Sequence, residues 1–232
     1  MVADTVQDIA RAHMAQAVTS MNAVGAGRWR PSGTLLRRLY ASTVLPRLID
    51  LSMRATALDR ERARWVSRAT GRVLEVGFGS GLNLKHYGAA VERLDALDPS
   101  VALWRLSAPR RADAQFPVAF TEGHAEDLPF ETASFDTIVM TWTLCSTSAA
   151  ELALREMRRV LRRQGRLIFI EHGRAPDASV QRWQARITPI WKRVAGGCQL
   201  GLDISGLLIE AGFEISSLET GYGEGPRPFT LL

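Results

Sequence analysis

The feature that most constrains this chain is a short apolar strand that runs directly into three glycines on alternate positions. The segment from Arg72 to Asn83 reads Arg-Val-Leu-Glu-Val-Gly-Phe-Gly-Ser-Gly-Leu-Asn, which places the glycines at Gly77, Gly79 and Gly81. Because glycine carries no side chain, the strand can turn sharply there and a ligand can contact the backbone. The pattern predicts a buried strand followed by a ligand-binding loop.

A second apolar run, from Leu94 to Asp98, ends in an acid that stands 23 residues after Glu75. This interval fits one helix and a return to the neighbouring parallel strand. A carboxylate at the tip of that strand is placed to bind the two hydroxyls of a ribose. Together with the glycine loop, it predicts a cofactor that contains a nucleoside.

The spacing of the glycines and the charge beside them distinguish between two such cofactors. NAD-binding loops carry G-x-G-x-x-G, which seats a pyrophosphate on a helix N-terminus, whereas this loop reads G-x-G-x-G. Glu75 precedes the first glycine by two residues, and its charge disfavours a pyrophosphate and favours a cation. The ammonium and sulfonium of S-adenosylmethionine suit that charge. If the three glycines are considered alone, a tight turn that binds no ligand is the alternative interpretation.

Length and composition set the outer bounds. With 232 residues, the chain is long enough for one ordinary domain with a sizeable core. We expect residues 1–70 to form an N-terminal helical cap segment and residues 71–232 the cofactor-binding domain, as one compact unit. No run of 18 apolar residues and no signal-peptide core occur, so we expect no membrane span. The two cysteines, Cys145 and Cys198, fit a cytoplasmic protein without a metal site.

The formal net charge is +5, and arginine supplies nearly all of the positive charge. An RNA-binding surface is one explanation, and a genome biased toward arginine codons is another. Four arginines between residues 158 and 163 fall at helical spacing, which predicts one solvated face of a helix. This distribution favours the second explanation.

The order of elements after the glycine loop predicts a sheet covered by helices. The predicted strands are Val118–Phe120, Phe135–Trp142, Arg166–Glu171 and Phe213–Leu218. Ser148 and Glu151 form a capping box that opens a helix ending near Gly165, and a helix from Asp203 to Ala211 stops at Gly212. Alternating strands and helices indicate a parallel sheet that binds ligands at the carboxyl ends of its strands.

At this point the chain resembles a known family. The stretch from about 73 to 213 resembles the class I S-adenosylmethionine-dependent methyltransferases of the small-molecule type. Residues 75–81 resemble their first motif and 97–100 the ribose-binding acid. Residues 125–130 with 134–136 resemble the adenine-side motif, and 161–167 the turn before the fifth strand. The resemblance implies a Rossmann-like α/β fold with a seven-stranded, mostly parallel sheet between helices. Its last strand would be antiparallel, near Phe229 to Leu232, and short or truncated.

The resemblance also implies which residues bind S-adenosylmethionine and its product, S-adenosylhomocysteine. They are Tyr40, Glu75, Val76, Gly77, Phe78, Gly79, Gly81, Asn83, Asp98, Pro99, Ser100, His124, Ala125, Glu126, Thr141 and Trp142. Two positions depart from the family pattern. His124 stands where an aspartate often binds the adenine amino group, and Phe78 replaces a small residue and is expected to pack against the cofactor.

A narrower resemblance concerns the methyl acceptor. Residues 142–146, 171–172, 189–191 and 197–200 are similar to a subgroup that includes thiol S-methyltransferases, which are membrane-associated in animals. Members carry a hydrophobic anchor ahead of the domain, and this chain shows none. The expected acceptor is a small, apolar molecule such as a thiol or a phenol, and the expected reaction is an in-line displacement.

Candidate residues for the acceptor side lie outside the cofactor motifs. His172 follows Glu171 at the end of a predicted strand and could take a proton from a thiol or phenol; a hydrogen-bonded strand-end histidine is the alternative. Trp183, Ile187 and Trp191 stand at helical spacing and could wall an apolar pocket, although such a stripe usually faces a core.

Three other functions stay open at this stage. A lipid or quinone methyltransferase would differ only in its acceptor. An RNA methyltransferase that modifies base amino groups usually carries Asn/Asp-Pro-Pro-Tyr after the fourth strand, where this chain reads Thr-Trp-Thr-Leu. A binding protein on an inactive fold would be expected to lose Glu75, Asp98 or a glycine, and all are present. The acceptor, the methylated atom and the oligomeric state are not determined by the sequence.

Overall fold

The computed structural model describes residues 40–223. The chain divides into two compact units, 1–41 and 42–232, so the boundary expected at residue 70 falls within the second unit. The strand expected near Phe229 to Leu232 lies outside the described residues. A division into cap segment and cofactor-binding domain remains a proposal.

Five parallel strands form the sheet. They are β1 (Gly71–Val76), β2 (Val91–Asp98), β3 (Val118–Glu122), β4 (Phe135–Thr141) and β5 (Leu161–Ile170), in the order β3-β2-β1-β4-β5. The register sets Glu75 of β1 beside Ala96 of β2 and Val139 of β4, so the carboxyl ends of these strands meet at one edge. This edge is where open α/β sheets bind ligands.

Helices connect and cover the strands. The α-helices are α1 (Leu45–Ser52), α2 (Thr56–Trp65), α3 (Val101–Leu106), α4 (Ala108–Ala112), α5 (Ala150–Val160), α6 (Ala178–Val194) and α7 (Ile204–Glu210). A π-helical turn spans Tyr40–Val44, and short 3₁₀ turns span Val66–Arg68, Leu84–His86 and Leu144–Ser146. No helix among residues 40–223 has the length and apolar character needed to cross a bilayer.

The core lies on both faces of the sheet. Leu74 of β1 and Ile138 of β4 belong to one buried cluster with Leu154 of α5, whereas their neighbours Val73 and Val139 belong to a second cluster. Successive side chains of a strand point to opposite faces, so the apolar residues of β1 and β4 are buried on both faces of the sheet because both faces are covered. The predicted layered α/β class is confirmed.

The predicted helix that ends near Gly165 is wrong at its end. Helix α5 ends at Val160, and Gly165 lies within β5. A Cβ at Gly165 would come within 2.9 Å of the carbonyl oxygen of Asp136, so the glycine permits close approach of β5 to β4 rather than a left-handed helix end. Arg162 and Arg163 therefore lie on a strand, and the predicted helical arginine face is wrong for them.

The predicted capping box is also wrong. The cap residue of α5 is Ala149, which makes no side-chain cap bond. The carboxylate of Glu126 takes this place, because its Oε1 accepts hydrogen bonds from the backbone N–H of Ser148 (2.8 Å), from its hydroxyl (2.7 Å) and from the N–H of Ala149 (3.3 Å). Glu126 thus binds the amides of Ser148 and Ala149 at the start of the helix, not the amide of Glu151 that the predicted box would have satisfied.

The count of seven strands is not confirmed. Among residues 40–223 the sheet has five strands, and the predicted strand Phe213–Leu218 joins no ladder there. Residues 216–223 instead lie across a groove of about 680 Å³ from the edge of β5 that does not pair with β4. An extended segment becomes a strand only where it finds ladder hydrogen bonds. The helix stop at Gly212 is confirmed by its φ of +83°.

Candidate active site

The three glycines of the loop have different structural roles. Gly77, Gly79 and Gly81 have φ values of +75°, +58° and +75°, a region that other residues rarely adopt. A Cβ at Gly77 would lie 2.0 Å from Oγ1 of Thr143, and one at Gly81 would lie 3.0 Å from the ring of Phe78. A Cβ at Gly79 would meet only a carbonyl oxygen at 3.9 Å. The outer glycines allow packing, and the middle one leaves its backbone open to a ligand.

Two residues predicted to contact the cofactor have buried side chains. Val76 is 1% exposed, and Phe78 is 3% exposed, with its ring centroid 5.6 Å from that of Trp104. Phe78 therefore packs into the core beneath the loop, where its large ring fills space next to Gly81. Its ring packs against Trp104, and the expected packing against a cofactor stays a prediction.

The outer side of the loop is fixed by charged residues from two helices. The carbonyl of Ser80 accepts a hydrogen bond from Arg110 of α4 at 2.7 Å, and Arg110 pairs with Asp50 of α1 at 3.1 Å. Burial acts to raise the pKa of Asp50, but hydrogen bonds from Ser80 and Arg54 and the charge of Arg110 leave it below its usual range. The loop is thus held in place by side chains of the protein itself.

Asp98 ends β2 as predicted and is tied to the loop. Its Oδ2 accepts from the N–H of Gly79 and its Oδ1 from the N–H of Ser100, both at 2.7 Å. Burial raises the pKa of Asp98, and the two amides oppose that shift. Each carboxylate oxygen keeps acceptor capacity beyond these amides, which suits a pair of ribose hydroxyls. Pro99 is exposed, and the Ser100 hydroxyl caps α3 by accepting from Leu103.

Glu75 is fully buried at the end of β1 and is held by two donors. Asn83 donates its side-chain N–H to Oε1 at 2.9 Å, and Tyr87 donates its hydroxyl to Oε2 at 2.7 Å. Burial raises the pKa of Glu75 to about 8, against the effect of these hydrogen bonds and of the charge on Arg62. Asn83 also donates to the hydroxyl of Thr141 at 3.1 Å, which connects three predicted residues. Tyr87 was not predicted, because its contact spans twelve residues.

A buried arginine stands next to this group, and the sequence did not indicate it. Arg62 of α2 is 2% exposed, and its guanidinium carbon lies 4.6 Å from the ring centre of Trp142. Trp142 follows β4 with a φ of +50°, which is unusual for a bulky residue. Burial lowers the pKa of Arg62, and the charges of Asp59 and Glu75 partly restore it.

The predicted adenine-side residues lie in the loop after β3. His124 is exposed, and Ala125 is buried at 6% exposure. Burial acts to raise the pKa of Glu126, but hydrogen bonds from Ser148 and nearby amides leave it below its usual range. Because the carboxylate of Glu126 caps α5, its direct part in holding a cofactor stays a prediction.

The acceptor-side candidates are spread over two regions. His172 is half-buried directly after Glu171, whose Oε1 accepts from the amides of Thr143 (2.6 Å) and Leu144 (2.8 Å). Burial raises the pKa of Glu171 to about 7, against those amide hydrogen bonds. Glu171 thereby fixes the turn after β4, a role that the sequence did not reveal. The role of His172 stays a prediction.

The predicted aromatic stripe of α6 is divided in two. Ile187 and Trp191 pack on a small buried cluster formed by Cys145, Cys198 and Leu200, whereas Trp183 is 55% exposed. The buried face of α6 instead contains Val180 and Gln184. Whether any of the three contacts an acceptor stays a prediction. The same holds for contact between the cofactor and Tyr40, which opens the first described turn.

The residues at the sheet edge fit a nucleoside that carries a cationic amino acid. Asp98 has acceptor capacity for a ribose, Gly79 has an open backbone, and Glu75 places a buried carboxyl group at the end of β1, just before the loop. The Oδ1 of Asn83 is buried and accepts no hydrogen bond from the described residues, so it is an acceptor in need of a donor. These features match the ribose and the ammonium of S-adenosylmethionine.

Known proteins with a similar sequence cover the same region. A family model described as a methyltransferase domain matches residues 74–169, from β1 to β5. The human thiol S-methyltransferase TMT1B is 34% identical over 139 residues, which cover 57% of this chain and 56% of that protein. Human thiol S-methyltransferase TMT1A is 31% identical over 165 residues, which cover 69% and 66%. The chain therefore spans 56% to 66% of the length of these two relatives.

A similar fold is seen in solved structures. The crystal structure of the YcgJ protein from Bacillus subtilis matches with a TM-score of 0.59 and 22% identity, covering 71% of each chain. At this identity the likeness concerns the fold. It extends well beyond the matched domain, because 71% of 232 residues exceeds the stretch from 74 to 169.

Proposed function

Because this chain belongs to the class I S-adenosylmethionine-dependent methyltransferases, we propose that it methylates a small, largely apolar acceptor such as a thiol or a phenol. The observation that carries the proposal is the hydrogen bond from the N–H of Gly79 to Asp98. It joins Gly79, the loop glycine with open space around it, to Asp98, whose carboxylate oxygens can accept further hydrogen bonds from ribose hydroxyls. This hydrogen bond fixes the two groups relative to each other, which reduces the cost of ordering them around a ligand.

The cofactor, when bound, supplies a methyl group activated by a sulfonium. Asp98 would hold its ribose, the backbone at Gly79 would contact its amino-acid portion, and the Glu75 carboxyl, which a nearby cation would help to ionise, would lie on the side of its cationic groups. These residues bind and orient, and none of them needs to form a covalent bond. Well-oriented proximity is worth roughly 7–11 kcal/mol of a reaction barrier, so placing the acceptor can supply a large part of the rate enhancement.

The acceptor class rests on the acceptor-side residues and on the relatives. Two human relatives are named thiol S-methyltransferases. A thiol or phenol must lose a proton at or before transfer, and His172, at the carboxyl end of β5, is the candidate base. Ile187 and Trp191 of α6 would form the apolar side of the acceptor site, with Trp183 at its exposed end.

The direct test is a set of acceptors incubated with cofactor that carries a labelled methyl group. We expect label to appear on small apolar thiols or phenols and not on RNA, and the variant Asp98→Ala serves as the control with weakened cofactor binding. Transfer to a quinone or lipid acceptor in preference to every thiol and phenol would reject the proposed acceptor class. Absence of transfer to any acceptor, with no cofactor binding, would reject the function.

The role of His172 has its own test. If it is the base, His172→Ala should lower turnover by about 10²–10⁴, leave cofactor affinity unchanged, and recover part of the rate at higher pH. His86→Ala is a matched control, because His86 hydrogen-bonds Asp59 at 2.9 Å, away from β5. A lower melting temperature with an unchanged pH profile would assign His172 to packing.

A further inference from the structure

Arg62 is a buried cation whose own contacts leave it incompletely satisfied. One guanidinium N–H donates to the carbonyl of Met53 at 2.9 Å, while the buried Nε has no hydrogen-bond partner among the described residues. Asp59 and Glu75 act on Arg62 through their charge, without a hydrogen bond to it. A buried guanidinium is costly unless it is paired, so this arrangement indicates a missing anionic partner.

The side chain that stacks on Arg62 also has a donor without a partner. The indole Nε1 of Trp142 is buried and makes no hydrogen bond to the described residues, although buried tryptophans usually find an acceptor. The backbone N–H of Trp142 donates to the carbonyl of Ile170 at 2.7 Å, which helps to hold its positive φ. Backbone strain of this kind is concentrated at ligand-binding sites.

Both neighbours of Trp142 connect it to the glycine loop. The hydroxyl of Thr141 accepts from Asn83, and the hydroxyl of Thr143 donates to the carbonyl of Val76 at 3.2 Å. The unpartnered Oδ1 of Asn83 therefore belongs to the same network as the unpartnered donors. The network therefore contains two unfilled donors and an unfilled acceptor, which is the set of groups that an amino-acid zwitterion would complete.

We propose that Arg62 and Trp142 form the binding site for the α-carboxylate of S-adenosylmethionine, with the α-ammonium directed to the Asn83 side chain. This inference rests on the proposed function, since it concerns the same cofactor. The planar guanidinium and the indole N–H are both donors, and an arginine–carboxylate contact is charge-assisted. Arg62 thus favours ligands in which the amino-acid portion attached to the nucleoside retains its carboxylate.

The test compares two ligands by calorimetry. S-adenosylhomocysteine has the carboxylate, and its decarboxylated analogue, the adenosyl thioether of 3-aminopropanethiol, keeps the adenosine and the ammonium. Wild-type protein should prefer S-adenosylhomocysteine by roughly 10- to 100-fold, as expected for a charge-assisted contact. Arg62→Met should reduce this preference to about threefold or less, by weakening S-adenosylhomocysteine and leaving the analogue nearly unchanged.

Further variants keep the outcome clear if Arg62→Met folds poorly. Trp142→Phe keeps an aromatic ring, although a smaller one, and removes the indole N–H, and it should lower the preference by about three- to tenfold. Arg62→Lys should give an intermediate preference, because lysine keeps the charge without the planar fork. Arg64→Met is the matched control on the same helix, since Arg64 is half-exposed and pairs with Glu219. Its preference should equal that of the wild type.

Two other results have distinct meanings. An undiminished preference in Arg62→Met and Trp142→Phe, with both ligands weakened equally, would overturn this inference and assign Arg62 to balancing the charge of Glu75. Failure of the wild-type protein to bind either ligand would overturn the proposed function together with this inference.

Discussion

Among single residues, Asp98 does most to define the site, because its carboxylate anchors the glycine loop and retains capacity for a ribose. Both of its carboxylate oxygens accept hydrogen bonds from backbone N–H groups, and the residue is 5% exposed. A buried carboxylate that is partly satisfied by amides stays available as an acceptor for hydroxyls. This dual use explains why a loop and an acid that are separated in sequence act as one binding element.

Removing that carboxylate should weaken cofactor binding. Asp98→Ala deletes a charge-assisted acceptor, and the affinity for S-adenosylhomocysteine should fall by roughly 1.5–3 kcal/mol in calorimetry. Asp95→Ala is a matched control, since Asp95 is a buried acid on the same strand that pairs with Arg72 and Arg93. It should lower stability without changing affinity. Affinity of Asp98→Ala within twofold of the wild type would contradict the assignment.

Glu75 should make stability depend on pH. Burial raises its pKa from 4.5 to about 8 in the folded protein, so the folded state retains a proton that the unfolded state releases. Stability must therefore fall as pH rises from about 4.5 to 8. The variant Glu75→Gln has no ionisable group at this position. The free energy of unfolding of the variant, measured in urea, should therefore rise steadily relative to that of the wild type between about pH 4.5 and 8.

The control for this pH effect is Glu126→Gln. The pKa of Glu126 is lowered on folding, because the hydrogen bonds from Ser148 and nearby amides outweigh its burial. Its contribution to the free energy of unfolding changes only below about pH 4.5. The difference in free energy of unfolding between Glu126→Gln and the wild type should therefore stay constant between about pH 5 and 8. A constant difference for Glu75→Gln over the same range would show that Glu75 ionises normally.

At the scale of elements, the glycine loop shows that similar residues can have different functions. Gly77 and Gly81 are required because side chains already occupy the space around them, whereas Gly79 has open space. The sequence pattern predicted all three glycines but could not distinguish packing from ligand contact. That distinction depends on Thr143 and Phe78, which approach the loop only in the folded protein.

Substitution of Gly79 should separate ligand binding from folding. In Gly79→Val the new side chain would enter the open space beside the loop, and ligand-induced stabilisation by S-adenosylhomocysteine should disappear in thermal unfolding. Gly212→Val is the matched control, since Gly212 also has a positive φ (+83°) and open space around it. Both variants should lose comparable stability from backbone strain. Retention of the ligand-induced shift in Gly79→Val would reduce the loop to a simple turn.

Helix ends are where the prediction of elements failed. The end predicted at Gly165 fitted a common helix stop, yet the chain leaves α5 at Val160 because Leu161 pairs with Phe135 in the sheet. The cap predicted at Ser148 is supplied by Glu126, which stands 22 residues earlier. In both cases a tertiary contact outweighed a local preference worth about 1 kcal/mol.

At the scale of the whole molecule, the sheet brings the carboxyl ends of β1, β2 and β4, with Glu75, Asp98 and Thr141, to one edge. In the described part of the chain, no group of three or more His, Cys, Asp and Glu side chains is arranged to hold a metal ion. We predict that S-adenosylhomocysteine binds with the same affinity in a chelator, because binding rests on hydrogen bonds and charges of the protein. Loss of affinity in chelator that magnesium restores would contradict this.

The sequence by itself determined the central unit of this protein. The strand, the glycine loop and Asp98 lie within one continuous stretch from β1 to β2, in which spacing along the chain nearly fixes spacing in the fold, although the expected helix between the strands is only a short 3₁₀ turn, Leu84–His86. The class of fold followed from alternating elements, since each apolar strand needs cover on both faces. These are properties of near neighbours, and the chain encodes them locally.

Only the tertiary structure decided which distant side chains complete the site. Arg62 and Trp142 are 80 residues apart in sequence and stack at 4.6 Å. Glu171 holds the turn at Thr143, and Asp50 holds Arg110 beside the loop. No periodicity along the chain specifies such pairs, because they arise from the order in which parallel strands are placed side by side. That placement is a property of the packed sheet, which brings β1, β4 and β5 to a common edge.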